Sequence, residues 1–214
     1  MKINYSKTKI MVFNPRRAKD FHPKFELSNN LVEVVEESKL LGVVISSDLS
    51  WSANTSYMIS RANKKLWFLR RLKTLGAEDN DLKDVYIKQI RSILEYAAPV
   101  WHSSLTVGDS MAIERIQKSA LRIILSHRYQ SYATALIYLE MEPLYLRRDR
   151  LCMKFARKCL SSNKFSQWFK PDKKISVTRQ QNKKFCHVLS RTVRYEKSPL
   201  SYLTNLLNKA KNRK

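Results

Sequence analysis

The chain has 214 residues, with 41 lysines and arginines against 18 aspartates and glutamates, which gives a formal net charge of +23. A hydrophobic content of 43% excludes wholesale disorder, and no apolar run is long enough to span a bilayer. The first residues alternate polar and apolar and lack the apolar core of a signal peptide, so we expect an intracellular protein, nuclear or cytoplasmic, that is not secreted.

The positive charge is concentrated towards the C-terminus. Residues 143–214 contain 20 lysines and arginines against 3 acidic residues, whereas residues 1–142 contain 21 against 15. A field of this sign attracts nucleic acid or an anionic membrane. Of these two partners we expect nucleic acid and no membrane, and the alternative is a basic surface that contacts only water.

The first 49 residues have the pattern of short strands. The candidate runs are 3–5, 9–13, 25–27, 32–35 and 40–45. Asn29-Asn30 predicts a hairpin turn between the third and fourth runs, because asparagine tolerates the positive φ that such turns need. Gly42 interrupts the fifth run, LLGVVI, where a glycine marks either a bulge or a place that another backbone approaches closely.

From residue 50 the apolar spacing changes to that of amphipathic helices. The stripe of the first helix consists of Tyr57, Met58, Ala62, Leu66, Leu69 and Leu72. A second helix is predicted between Gly76 and Pro99, a third from Asp109 or Ser110, and a fourth from Pro143. We interpret residues 161–197 as a loop that precedes a short last helix.

These patterns predict an α+β fold with three regions. Residues 1–49 form small antiparallel strands and a hairpin, residues 50–142 a helical bundle, and residues 143–214 a basic helical region that contains the loop 161–197. The chain shows no spacing typical of a catalytic centre. Cys152 and Cys159 form no CxxC pair, and Cys186-His187 has no second pair at zinc spacing, so we expect reduced thiols and no metal.

Seven segments occur in an order and spacing that match a known family. They are KINYSKTKIMVF (2–13), KLLGV (39–43), DLSW (48–51), ILEYAAPVW (93–101), ERIQK (114–118), LYLRR (144–148) and SPL (198–200). Together they resemble the reverse transcriptases of non-LTR retrotransposons, particularly the jockey-like branch. The DLSW segment follows one residue too early for the family pattern, and Ile113 stands where the family has leucine.

The resemblance implies that this chain is the end of a polymerase palm, a helical thumb and the region after it. The family's metal-binding aspartates, which hold Mg or Mn, belong to motifs that precede Met1. We therefore expect a truncated RNA-directed DNA polymerase fragment, inactive alone and without a cofactor, that binds template–primer nucleic acid nonspecifically. The alternatives are a basic helical adaptor of other ancestry, which binds nucleic acid or an acidic protein, and a relic with no partner.

The resemblance also indicates candidate contacts. The segment KLLGV looks like the family's primer-grip hairpin, which would place Lys39, Leu41 and Gly42 beside the primer terminus. A hydrogen at Gly42 would then leave room for the nucleic-acid backbone. A bulge that twists the strand remains the alternative.

The first thumb helix of the family follows the template–primer backbone. By this resemblance, phosphate would be contacted by Lys64, Lys65, Arg70 and Arg71, unless these are ordinary solvated residues. Arg147 and Arg148 are further candidates, which pair either with phosphate or with acids such as Glu140 and Glu142. Trp51 and Trp101 are expected in the core rather than stacked on bases.

Overall fold

The computed structural model describes residues 4, 7–13, 24–27, 30–171, 185–186 and 190–211, and these residues form the expected α+β fold. The strands are β1 (Lys9–Ile10), β2 (Phe25–Leu27), β3 (Asn30–Val34), β4 (Glu37–Leu40) and β5 (Val43–Ser46). The first three form a sheet in the order β1-β3-β2, and β4 pairs with β5. The predicted run 3–5 and the turn residues 28–29 lie outside the described residues, apart from Asn4.

The expectation of purely antiparallel strands is wrong for β1. Strands β2 and β3 are antiparallel, but β1 runs parallel to β3, with Lys9 opposite Glu33. A parallel pair needs a long crossover connection, and the chain between β1 and β3 is long enough to provide one. The order of strands along the sequence therefore did not indicate their direction in the sheet.

The predicted fifth strand is in fact a hairpin. Strands β4 and β5 pair with Leu40 opposite Val43, so only Leu41 and Gly42 form the turn. Both turn residues have positive φ, 48° and 86°. This is the geometry of the two-residue turns that match the right-handed twist of paired strands. Gly42 is thus a turn residue, neither a bulge nor a residue in mid-strand.

The helices follow without further strands apart from an isolated bridge between Pro171 and Phe185, within the described residues. They are α1 (Ser52–Thr74), α2 (Asp79–Val85), α3 (Ser92–Glu95), α4 (Ala98–Trp101), α5 (Val107–Leu125), α6 (Tyr132–Tyr138), α7 (Leu144–Ser161), α8 (Val193–Glu196) and α9 (Pro199–Lys211). A π-helical segment, Tyr86–Arg91, joins α2 to α3. None of the described helices is long and apolar enough to cross a membrane.

Local sequence signals account for several helix boundaries. The Thr106 side chain accepts a hydrogen bond from the backbone N–H of Asp109 and so caps α5. Ser131 and Thr134 form a reciprocal capping box at α6, a helix that the sequence analysis missed because seven residues are too few to show periodicity. The predicted loop 161–197 also contains α8 and a 3₁₀ turn, Ser166–Trp168.

The buried apolar residues form two cores. The larger core combines α1, the helical segment 79–95, α5 and α6 with the start of α7, and Val43 adds the hairpin to it. The smaller core lies between the second half of α7 and α9, and it contains Phe169 and Phe185. Helix α7 contributes Leu144 to the first core and Cys152 to the second, so one helix joins the two.

Candidate nucleic-acid interface

Helix α1 separates apolar from basic residues. Its predicted stripe is buried at Met58, Ala62, Leu66 and Leu69, and it faces α5 and the helical segment 79–95. The helix Ser52–Thr74 contains six lysines and arginines and no acidic residue. Such a helix leaves a long surface of positive charge with nothing on the same element to neutralise it.

The four predicted phosphate contacts on α1 are all exposed, and none of them forms an ion pair within the described part of the chain. They are Lys64, Lys65, Arg70 and Arg71. At about 100° per residue, Lys64 and Arg71 lie on one side of the helix, while Arg70 points about 100° away from Arg71. A single strand of nucleic acid along this side would therefore meet Lys64 and Arg71 together, and Arg70 hardly at all.

Aromatic side chains lie among these cations. Phe68 is 44% exposed and Trp67 66% exposed, although large apolar side chains usually face the core. We call the side of α1 that includes Phe68 the α1 basic face; its residues are Tyr57, Arg61, Lys64, Phe68 and Arg71, whereas Lys65 points about 100° away from Lys64. Exposed aromatic rings between cations are the arrangement that single-stranded nucleic acid uses for stacking.

Trp67 and Phe68 were not predicted as surface residues, and the predicted place of Tyr57 is wrong. Both missed residues fall outside the 58-62-66-69 stripe, so helical spacing could have shown that they are exposed. Tyr57 was assigned to the apolar stripe, but it is only half-buried and its hydroxyl accepts a hydrogen bond from Lys39 Nζ at 2.5 Å. That bond connects the β4–β5 hairpin to the α1 basic face.

The predicted role of Gly42 needs correction. A Cβ atom at Gly42 would lie 3.2 Å from Cε1 of Tyr96, so this chain itself occupies the space that a nucleic-acid backbone was expected to use. The Tyr96 hydroxyl also donates a hydrogen bond of 2.8 Å to the carbonyl oxygen of Leu41. Glycine here suits both the positive φ of the turn and the close approach of Tyr96. The Leu41 side chain, 85% exposed, stays available at the tip of the hairpin.

Arg147 is held by an acid that the sequence analysis did not name. Its Nε lies 2.5 Å and its Nη2 3.1 Å from the two carboxylate oxygens of Glu95, a bidentate pair. The hydrogen bond to Glu95 raises the pKa of the Arg147 guanidinium despite its partial burial. Neither predicted acid, Glu140 or Glu142, forms this pair.

Arg148 is fully buried and cannot reach a phosphate, so its assignment to the nucleic-acid backbone is wrong. Its Nε donates to His102 Nδ1 at 3.1 Å and its Nη2 to Ser110 Oγ at 3.2 Å. The guanidinium carbon lies 5.9 Å from the centroid of Trp101, which is buried as expected. Burial lowers the pKa of this guanidinium, and Glu114 supplies the largest compensating charge.

The Arg148 contact determines the tautomer of His102. Because Nδ1 accepts from Arg148, the ring proton lies on Nε2, which is 2.7 Å from Oδ1 of Asp149. The same oxygen accepts a 2.5 Å hydrogen bond from the hydroxyl of Tyr202 in α9. This partly buried polar network therefore ties α9 to α7 and to the turn after α4.

A second polar network explains the segment ERIQK. Gln117 is fully buried, and its amide oxygen accepts from Tyr86 while its amide nitrogen donates to Tyr132 and to the carbonyl oxygen of Glu142. Glu114 accepts from Tyr132 and from the backbone N–H of Leu144. Both side chains serve as links between helices, so this segment is structural.

The segments that carry the family resemblance contact one another. KLLGV meets ILEYAAPVW through Gly42 and Tyr96, and ILEYAAPVW meets LYLRR through Glu95 and Arg147. Trp51 of DLSW is half-buried against the larger core, as expected. No group of three or more histidine, cysteine or acidic side chains among the described residues could hold a metal ion.

No protein-family model, curated protein or solved structure matches the chain.

Proposed function

We propose that this chain binds nucleic acid without sequence preference, as the thumb-bearing part of a reverse transcriptase similar to those of non-LTR retrotransposons. One observation carries the proposal: α1 presents exposed cations and aromatic rings together, with no acidic residue on the helix. Cations of this kind hold phosphates of any sequence. The ordered segments of the family resemblance favour template–primer as the form of nucleic acid.

The dimensions of α1 suit a duplex or hybrid backbone. From Tyr57 to Arg71 the helix rises about 21 Å, which corresponds to roughly six base-pair steps of 3.4 Å along the axis of a duplex. The α1 basic face is therefore long enough to contact more than one phosphate of a strand that crosses it. Trp67 and Phe68 are available for a base that leaves the stack at a recessed end.

The test compares variants of equal charge. In Lys64→Gln/Arg71→Gln, affinity for a labelled recessed template–primer should fall, and the slope of log affinity against log salt should become shallower by roughly 1.8, or 0.9 per lost phosphate contact. The control Arg157→Gln/Lys158→Gln removes two exposed charges from α7 and should change the slope by less. Equal losses in both variants would mean that only net charge matters.

Single substitutions of the neighbouring residues Arg70 and Arg71 make the same test more specific. Arg71→Gln should weaken binding more than Arg70→Gln, because only Arg71 lies on the α1 basic face. Wild-type protein should also prefer a recessed end to a single strand. A basic adaptor of other ancestry would show no such preference, and no binding at all would exclude the proposed function.

A further inference from the structure

Tyr57 holds two cations that come from different elements. Lys39, in β4, donates to the Tyr57 hydroxyl and places its Nζ 4.7 Å from the ring centroid. Arg61, one turn further along α1, has its guanidinium carbon 5.6 Å from the same centroid. The two charges can therefore be no more than about 10 Å apart, the sum of these two distances.

No carboxylate neutralises this pair within the described residues. Neither Lys39 nor Arg61 forms an ion pair there, and α1 contains no acid. Glu37, exposed two residues before Lys39 on the same strand, is the nearest acid in sequence and forms no ion pair with it. Two like charges held together at a surface repel each other unless an anion lies between them.

The hydrogen-bonding groups at this place are nearly all donors. Lys39 uses one N–H on Tyr57 and keeps two, Arg61 presents the N–H groups of its guanidinium, and the Tyr57 O–H has no acceptor among the described residues. Three donor groups from two elements suit the oxygens of a phosphate, since charge-assisted hydrogen bonds to phosphate are among the strongest that side chains make.

We propose that Lys39, Tyr57 and Arg61 form a clamp for one phosphodiester group, through which the β4–β5 hairpin and α1 hold the same nucleic-acid strand. This inference rests on the proposed function and adds to it a defined phosphate site at the start of the α1 basic face. Tyr57 is the positioning residue, because its ring and hydroxyl hold both cations in place before the anion arrives. Such preorganisation lowers the ordering cost of binding.

Tyr57 can report on the occupancy of the clamp. The hydrogen bond from Lys39, followed by the charges of Lys39 and Arg61, lowers the pKa of the Tyr57 hydroxyl. A bound phosphodiester would offset those charges and move the titration of this phenol to higher pH. Tyrosinate absorbance, taken as the difference between wild type and Tyr57→Phe, isolates this one tyrosine among the ten in the chain.

The binding test uses Lys39→Gln, Arg61→Gln and the double variant on a recessed DNA template–primer. If the two cations share one phosphate, each single variant and the double variant should reduce the salt slope by the same amount, roughly 0.9. The matched control is Lys118→Gln/Arg122→Gln, which removes two cations that also lie over tyrosine rings, but over two different ones. It should leave the slope unchanged.

Two results would overturn the clamp. One is equal behaviour of Lys39→Gln/Arg61→Gln and the control. The other is a Tyr57 titration that the DNA does not move, including the case in which inorganic phosphate moves it at matched ionic strength. If Lys64→Gln/Arg71→Gln still weakens binding in any of these cases, the proposed function stands and only the clamp falls. If wild-type protein binds no nucleic acid, both fall.

Discussion

At Gly42 two separate constraints act on one residue. The backbone requires φ of +86°, a region that side chains with a Cβ rarely adopt, and the ring of Tyr96 occupies the space where a Cβ would lie. Leu41, the other turn residue, adopts φ of 48° without being glycine. The turn therefore already contains one strained residue, and the neighbouring glycine limits the total strain.

Gly42→Ala should reduce the free energy of unfolding by more than the roughly 1 kcal/mol expected for positive φ alone. The chain offers a matched control in Gly76, which has the same φ of +86° but no atom within 4 Å of the position that a Cβ would take. Urea unfolding of both alanine variants separates the two constraints. If Gly76→Ala costs as much as Gly42→Ala, the contact with Tyr96 contributes nothing.

At the scale of elements, α5 is the helix on which the larger core depends. It packs against α1, α6 and α7, and its buried Gln117 makes hydrogen bonds with side chains or backbone from three other segments. An amide whose donors and acceptor are all used fixes its neighbours in one register. Removing the Gln117 side chain would therefore leave several hydrogen-bonding groups without a partner.

Gln117→Leu should destabilise the fold by about 2–3 kcal/mol, because it leaves the buried Tyr86 hydroxyl and the carbonyl oxygen of Glu142 without partners. In the double variant Gln117→Leu/Tyr86→Phe the hydroxyl is absent as well, so the combined cost should be smaller than the sum of the single costs. Strict additivity in urea unfolding would show that the two side chains are not coupled.

At the scale of the whole molecule, the polar network around Arg148 joins the C-terminal helix α9 to α7 and to the turn after α4. Tyr202 from α9 and His102 from the turn after α4 both donate to Asp149 of α7. Burial acts to raise the pKa of the Asp149 carboxyl, but these two hydrogen bonds and nearby positive charge, including that of Arg148, together outweigh it, so that the pKa lies below its ordinary value of 3.8. The ionised carboxylate is therefore the form that holds α9.

A carboxyl group with a lowered pKa in the folded state stabilises the fold above its ordinary pKa, and this contribution disappears as the pH falls through the folded value. Asp149→Asn should accordingly be less stable than wild type at neutral pH, with a difference that shrinks below about pH 3.8. Unfolding curves of both proteins from pH 7 to pH 2 measure this difference in the free energy of unfolding.

Asp84→Asn is the control for that experiment. The Asp84 pKa is also lowered, by Lys88, but the pair is exposed and contributes little to stability. The substitution Asp84→Asn should leave the pH dependence of the free energy of unfolding nearly unchanged. A pH dependence of Asp149→Asn identical to that of wild type would contradict the role given to Asp149.

The amino-acid sequence by itself determined the features that depend on neighbours along the chain. The period of apolar residues predicted α1, α5 and α7 to within a few residues, because a helix shows its buried side every three or four positions. The excess of positive charge in residues 143–214 and the absence of acidic residues from α1 were also evident from the sequence. The burial of Trp101 was also correctly expected, because its neighbours in the sequence, Pro99 and Val100, are apolar.

Only the tertiary structure decided which residues meet across the chain. Glu95 rather than Glu140 or Glu142 pairs with Arg147, the hydrogen bonds of Arg148 go to His102 and Ser110, and Tyr96 fills the space beside Gly42. Each of these contacts joins residues more than 35 positions apart, which neither periodicity nor local charge encodes. Whether an arginine lies at the surface or is buried depends on where distant helices pack, so composition alone could not distinguish Arg148 from Arg71.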